Sequence, residues 1–325
     1  MKANSIIKQL FILLVLVSCK NNEEHNTIVD ASSKEVTTIH LVAQDWPGTE
    51  PKPYDMPVLK GLDHLAFNTS SNLLLDGNDL VLGIELADES LAIPLTYMEG
   101  FEVANLQLQE KNYLLTWCPL VGSAKLFKDQ SNTKTAGFDF GFALMDNNLL
   151  MVDRQTQTVW NQLSNKAIHG QRKGETLQLE PSIQTTWQFW KDKHPDTKVL
   201  INTDTTNAIF PSEVFKEPIY TQWQPSDGRY FDNGKHDISN LGLGIEIADT
   251  SVFFPLNALY KNQSPVEYTL ANTTMTIHFN VEGLTAWATN SKGELMPSTL
   301  AYNWAWKDFY PETTWFSSGK KHSYD

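Results

Sequence analysis

The chain has 325 residues and a formal net charge of −13, from 38 acidic and 25 basic side chains. An acidic balance of this size repels phosphate backbones, which argues against nucleic-acid binding. Its length suits one large or two moderate domains.

The N-terminus reads MKANSIIKQLFILLVLVSCK. Lys2 and Lys8 form a basic n-region, and Leu10 to Val17 is a continuous apolar run. That run is too short to span a bilayer and fits a signal-peptide core over residues 1–18. It ends in Leu16-Val17-Ser18-Cys19, which resembles a bacterial lipobox and implies cleavage before Cys19 and lipidation of its thiol. Multiple acyl chains give a stable membrane anchor. Residues 19–45 are polar and read as the lipidated cysteine followed by a disordered tether. With Cys19 lipidated, Cys118 has no partner for an intramolecular disulfide. Val121, three positions after Cys118, excludes a CxxC zinc motif.

Leu80–Leu95 reads LVLGIELADESLAIPL, and Leu241–Leu256 reads LGLGIEIADTSVFFPL, with ten of sixteen positions identical. A second echo pairs FWKDKHPDT, from Phe189, with AWKDFYPET, from Ala305. The landmarks lie 161 positions apart in the first echo and 116 in the second, so the second half is 45 residues shorter. Such repetition means pseudo-symmetric packing of equivalent units. The folded domain spans 46–325, with a first half over about 79–200 and a shorter second half over about 240–316.

Ile84 and Leu86 alternate with Glu85 and Ala87, Asp88-Glu89 forms a turn, and Leu91, Ile93 and Leu95 alternate again, so each half opens on a hairpin. Strand signals follow at Tyr113–Trp117, Ala124–Phe127, Leu149–Val152 and Thr158–Gln162. A short helix follows Thr185 or Thr186 as cap, carries Trp187 and Trp190 on one face, and stops at Pro195. His169 lies in AIHGQRKG, which reads as a loop. The fold class is mainly β or α+β: two related β-rich halves with a few short helices.

Five ordered landmarks carry a family resemblance. They are GIELADESLAIPL from Gly83, TWCPLVGSA from Thr116, NLLMVDRQTQTVWNQ from Asn148, the glycines Gly170 and Gly174 with Leu177, and TTWQFWKDKHPDTKVL from Thr185. Over roughly Asp79 to Phe316 the chain resembles the bacterial family known as domain of unknown function 3179, here as an extracytoplasmic lipoprotein member. The resemblance implies no particular activity. It marks two departures: Gly100-Phe101-Glu102 where relatives often carry Trp-His-Glu, and Val121 where many carry a second cysteine. The second half lacks a counterpart of Asp153, Arg154, Trp160 and Gln162, so any chemistry belongs to the first half.

Cys118 is the leading candidate, as a nucleophile or soft-metal ligand. Either role needs a thiolate, hence a positive neighbour or a metal. Arg154, His194 and His64 are possible suppliers, and His194 is the second candidate metal ligand. A buried apolar cysteine is the alternative. Asp153 is either a turn anchor or, with Arg154, part of an anion fork. Trp160, Gln162 and Trp187 are candidate ligand contacts, the tryptophans as faces for a sugar, or else core. P-loop, GxSxG, HExxH and EF-hand patterns are absent from the sequence. Three readings stand: a lipid-anchored envelope protein binding a small ligand or metal near Cys118, a thiol- or metal-dependent enzyme with Cys118 as the reactive residue and no assigned cofactor, or a non-catalytic envelope scaffold. The expected partners are the membrane, through the N-terminal lipid, and a small ligand or an envelope protein. The expected location is the cell envelope, at the periplasmic or surface face of the outer membrane.

Overall fold

The computed structural model describes residues 37–42, 53–63, 65–69, 75–99, 101–129, 137–201, 238–262 and 265–318. The signal peptide, Cys19, His64 and Gly100 lie outside the described residues. Two strands come first, β1 (Thr37–Val42) and β2 (Pro53–Leu59), paired antiparallel. β1 falls within the stretch read as tether; its β-branched Thr37, Thr38, Ile39 and Val42 suit a pleated strand, and β2 supplies the partner.

The first repeat follows. It comprises β3 (Ala66–Thr69), β4 (Leu80–Glu85), β5 (Ser90–Pro94), a 3-10 turn (Leu95–Met98), β6 (Val103–Leu108), β7 (Lys111–Cys118) and β8 (Ser123–Lys128). An inserted segment carries β9 (Phe138–Met145), β10 (Asn148–Asp153), β11 (Val159–Asn161), β12 (Ala167–His169) and β13 (Gln178–Leu179). The repeat closes with β14 (Ile183–Thr186), helix α1 (Trp187–Lys193) and β15 (Lys198–Ile201). The second repeat has β16 (Leu241–Ile247), β17 (Thr250–Pro255), α2 (Leu256–Asn262), β18 (Val266–Leu270), β19 (Thr273–Asn280) and β20 (Thr285–Asn290). It ends with β21 (Thr299–Tyr302), α3 (Asn303–Phe309) and β22 (Thr314–Trp315). Among the described residues no helix is long and apolar enough to cross a membrane.

The duplication is visible in the pairing. One sheet runs β14-β4-β5-β15-β3 and its counterpart β21-β16-β17-β22, with β15 parallel to β5 and β22 parallel to β17. Each repeat adds an antiparallel meander, β6-β7-β8 and β18-β19-β20. The first repeat is longer because β9 to β13 stand between β8 and β14, where the second passes from β20 to β21 directly. The insertion joins the N-terminal hairpin in a sheet ordered β1-β2-β9-β10-β11-β12.

The opening hairpin sits earlier than the alternation suggests. β4 ends at Glu85, and Leu86 donates to the Glu89 carbonyl to close the turn. Leu80 to Ile84 are almost entirely buried, as in a strand covered on both faces, which has no reason to alternate. His169 belongs to β12 rather than a loop, paired opposite Val159. Of the two cap candidates Thr186 caps the short helix, its hydroxyl accepting from the Phe189 N–H.

A glycine–tryptophan contact recurs in both repeats. A Cβ on Gly83 would lie 2.2 Å from the Trp190 ring, and one on Gly244 would lie 2.2 Å from the Trp306 ring. The indole N–H of Trp190 donates to Thr197 and that of Trp306 to Thr313. Trp190 meets His194 at a 32° tilt, and Trp306 stacks on Tyr310, each at 4.0 Å between centroids. His194 in turn meets Glu85, and Tyr310 meets Glu246.

Candidate functional site

Cys118 is the last residue of β7 and pairs with Ser123 across a four-residue turn. Asn280, last in β19, pairs with Thr285 across the equivalent turn. In the second turn the third connecting residue donates back to the side chain that opens it, Gly283 N–H to Asn280 Oδ1 at 2.7 Å, whereas the Cys118 thiol donates outside its own turn, to the Asn147 carbonyl 3.9 Å away. The fourth connecting residue has positive φ, Gly122 at 66° and Leu284 at 47°. At Gly122 a Cβ would also lie 2.9 Å from the Tyr302 ring, so conformation favours glycine and space demands it.

The two turns lock the repeats together reciprocally. Tyr302 N–H donates to the Val121 carbonyl at 2.9 Å, and Thr186 N–H donates to the Gly283 carbonyl at 3.1 Å. Tyr302 closes β21 and Thr186 closes β14, so each repeat's last sheet strand grips the other repeat's turn.

The Cys118 thiol is fully buried in a core with Leu114, Val121, Phe127 and Leu149. Burial above all, and then the Glu102 carboxyl, push it up to about 12; N–H groups of Leu149, Val121 and Leu120 oppose that shift. Neither Arg154 nor His194 is among the groups that act on it. A thiol held this high is protonated at neutral pH and is a poor nucleophile.

Arg154 is taken up by two carboxylates. Its Nη2 lies 2.7 Å from Asp139 Oδ1 and its Nη1 3.0 Å from Asp63 Oδ1, while Nε also donates to Asp139. Burial tends to raise the Asp63 carboxyl, but Arg154 and Lys60 hold it below the ordinary value. Asp153 anchors the turn after β10: it accepts from Thr156 N–H at 2.6 Å, from the Thr156 hydroxyl, and from the Trp160 indole at 3.1 Å. Trp160 is fully buried, with the Arg172 guanidinium 4.7 Å from its ring. Gln162 donates to the Ser123 carbonyl at 3.0 Å and accepts from Asn148 at 2.8 Å. Trp187 is 4% exposed and faces the core around Val81, Ile183 and Trp190. His194 is pushed below its ordinary value by burial, against the pull of Glu85, 3.3 Å from Nε2. Among the described residues, no group of three or more His, Cys, Asp or Glu is placed to hold a metal ion.

Two ionisable residues emerge that the motif reading did not single out. Glu102 has φ of 53°, and its carbonyl accepts from Trp117 N–H. Burial first, and Glu99 second, push its carboxyl up to about 8. The signal in the sequence was a glutamate kept where relatives carry Trp-His-Glu. Lys125, in β8, is 1% exposed, and its ammonium donates to the Gln162 and Leu163 carbonyls and to Asn165 Oδ1 at 3.2, 2.8 and 2.7 Å. Alternation along Ser123-Ala124-Lys125-Leu126-Phe127 puts Lys125 on the face of Phe127, which the insertion covers.

The fold and this seam define a class: a duplicated, β-rich protein whose repeats interlock through the turn that carries its buried cysteine. The chain belongs to the family described as protein of unknown function (DUF3179), whose model matches residues 61–294. No curated protein and no solved structure matches it.

Proposed function

We propose that this protein is a lipid-anchored, extracytoplasmic scaffold or binding module of the cell envelope, and not a thiol enzyme. One observation carries the non-catalytic reading: the residues that chemistry would need are taken up by the fold. The Cys118 thiol is buried in the core and donates to the Asn147 carbonyl, and the Arg154 fork is filled by Asp139 and Asp63. The lipobox at Leu16–Cys19 supports the anchor and the envelope location at the outer membrane, on its periplasmic or surface face. The test is made in cells. Cys19→Ala should move the protein from the membrane to the soluble fraction, and crosslinking should recover the same envelope protein with wild type and with Cys118→Ser. Retention of Cys19→Ala in the membrane overturns the anchor. Loss of the crosslinked partner in a folded Cys118→Ser overturns the structural role of the thiol.

Glu102 favours a second reading, a small ligand bound near Cys118. Among the described residues its carboxyl has no hydrogen-bond or ion-pair partner, and at neutral pH most of it is protonated. A neutral carboxyl can donate a hydrogen bond to an acceptor on a ligand. A metal ligand at Cys118 or His194 would first require the thiol to give up its proton or the imidazole to leave Glu85.

A further inference from the structure

The two seam turns fix which residues correspond across the repeats. Ser123 opens β8 and Thr285 opens β20. Two residues further along each strand stand Lys125 and Trp287. In the first repeat the insertion closes over this position: the Gln162 and Leu163 carbonyls and Asn165 accept from Lys125, which is 1% exposed. The second repeat passes from β20 to β21 without such an insertion, and Trp287 is only partly buried. Helix α1 of the first repeat reaches it instead. Phe189 lies 5.9 Å from Trp287 between ring centroids, tilted by 48°. His278 stacks on Trp287 at 5.1 Å. The Lys193 ammonium sits 5.1 Å from the Phe189 ring and 5.2 Å from the Trp287 ring. We propose that Phe189, Trp287 and His278 form a cation seat on the side of the seam that the insertion leaves uncovered. Lys193 fills it in the free protein, and a quaternary ammonium group, such as that of choline, takes its place.

The chemistry of the seat selects the ligand. Two aromatic rings on one ammonium is the arrangement in which ring quadrupoles hold a cation. Among the described residues Lys193 forms no hydrogen bond or ion pair, so its N–H groups depend on water. A quaternary ammonium has no N–H to satisfy, and it is less tightly hydrated than a lysine ammonium. Lys193 is exposed, and a long side chain loses rotamer freedom by staying on the rings, so it yields readily. The net charge of −13 draws cations rather than anions toward the surface. The duplication separates this contact from those that the fold requires. The glycine–tryptophan and tryptophan–threonine contacts recur in both repeats, whereas Ala305 and Phe309 stand in α3 where α1 has Phe189 and Lys193. The seat shares no residue with the surroundings of Cys118 and does not rest on either reading above.

The test is saturation-transfer NMR on the purified full-length chain in a non-ionic detergent, with choline as the probe. The choline methyl signal should take up saturation from the protein, and the neutral tert-butyl analogue should bind about fivefold more weakly. Lys193→Ala removes the resident cation and should bind choline about two- to fivefold more tightly than the wild type. Trp287→Leu should lose the binding. A short-chain phosphatidylcholine, kept below its micelle-forming concentration, distinguishes the sources: tighter binding than choline supports a lipid headgroup, and weaker binding supports a free solute. No saturation in the wild type and in Lys193→Ala overturns the seat. So does equal binding of the neutral analogue, or unchanged affinity in Lys193→Ala. Should Trp287→Leu fail to fold, Phe189→Leu replaces it, and full binding by that variant likewise overturns the seat.

Discussion

Gly83 lies flat against Trp190, so that a Cβ would come within 2.2 Å of the indole. The Trp190 ring is held from its other sides by Thr197 and His194, so it has no free direction in which to retreat. Gly83→Ala should therefore cost about 1–3 kcal/mol, the range for forcing one extra carbon into a packed core. Gly244→Ala should cost a similar amount through Trp306. Gly77→Ala is the control, because its nearest contact would be an ordinary 3.4 Å from Gln188. Urea denaturation of the three variants checks this, and equal midpoints for Gly83→Ala and Gly77→Ala would count against it.

Cys118 should behave as a buried structural thiol. With the thiol at about 12, roughly one in ten thousand is ionised at pH 8, and the sulfur is fully buried. A maleimide should label it at the rate of unfolding and no faster. Cys118→Ala removes the thiol's hydrogen bond to the Asn147 carbonyl and its packing in the core and should cost about 1–3 kcal/mol. Rapid stoichiometric labelling of folded protein would contradict both expectations.

The sequence carried the duplication because the same contacts are made twice. Gly83 and Gly244 recur since each must face a tryptophan, and the Trp190–Thr197 spacing recurs since each indole needs its hydroxyl. The length difference announced an insertion, but not its partner. The pairing of β2 with β9 joins Val58 to Gly141, and no local pattern encodes a contact of that separation. The candidate residues were legible as types and not as roles. Arg154 could have faced a ligand, and only the approach of Asp63, far away in the chain, makes it a clamp. Lys125 was hidden by its type, because a lysine in a strand reads as solvent-facing until the sheet that covers it is known.

The Arg154 clamp ties the insertion to the segment before β3. Arg154→Ala leaves Asp63 and Asp139 facing each other without their shared cation. The groups are partly exposed, at about 20%, so the loss should fall between surface and buried pairs, at about 2 kcal/mol. Asp63 is held below its ordinary 3.8 by the arginine, so its contribution is present above pH 3.8 and is lost as pH falls through the lowered value. Arg154→Ala should therefore cost less at pH 2 than at pH 7. Sulfate or phosphate should not raise the melting temperature of the wild type, since the fork has no free edge to offer. Stabilisation by either anion that vanishes in Arg154→Lys would make Arg154 a binding residue instead.

Glu102 gives the opposite pH dependence. Its carboxyl is raised from 4.5 to about 8 in the folded chain. Between these values the unfolded chain has lost the proton and the folded chain keeps it. Its contribution to stability is therefore present below pH 4.5 and is lost as pH rises toward 8, at up to about 1.4 kcal/mol per pH unit. Glu102→Gln keeps the shape and removes the titration. The variant should be more stable than the wild type at pH 8, and the gap should close as pH is lowered to 5. Paired urea titrations at pH 5, 6, 7 and 8 measure that gap. A gap independent of pH would mean that the Glu102 carboxyl is ionised throughout, and its proton would then be unavailable to any ligand beside Cys118.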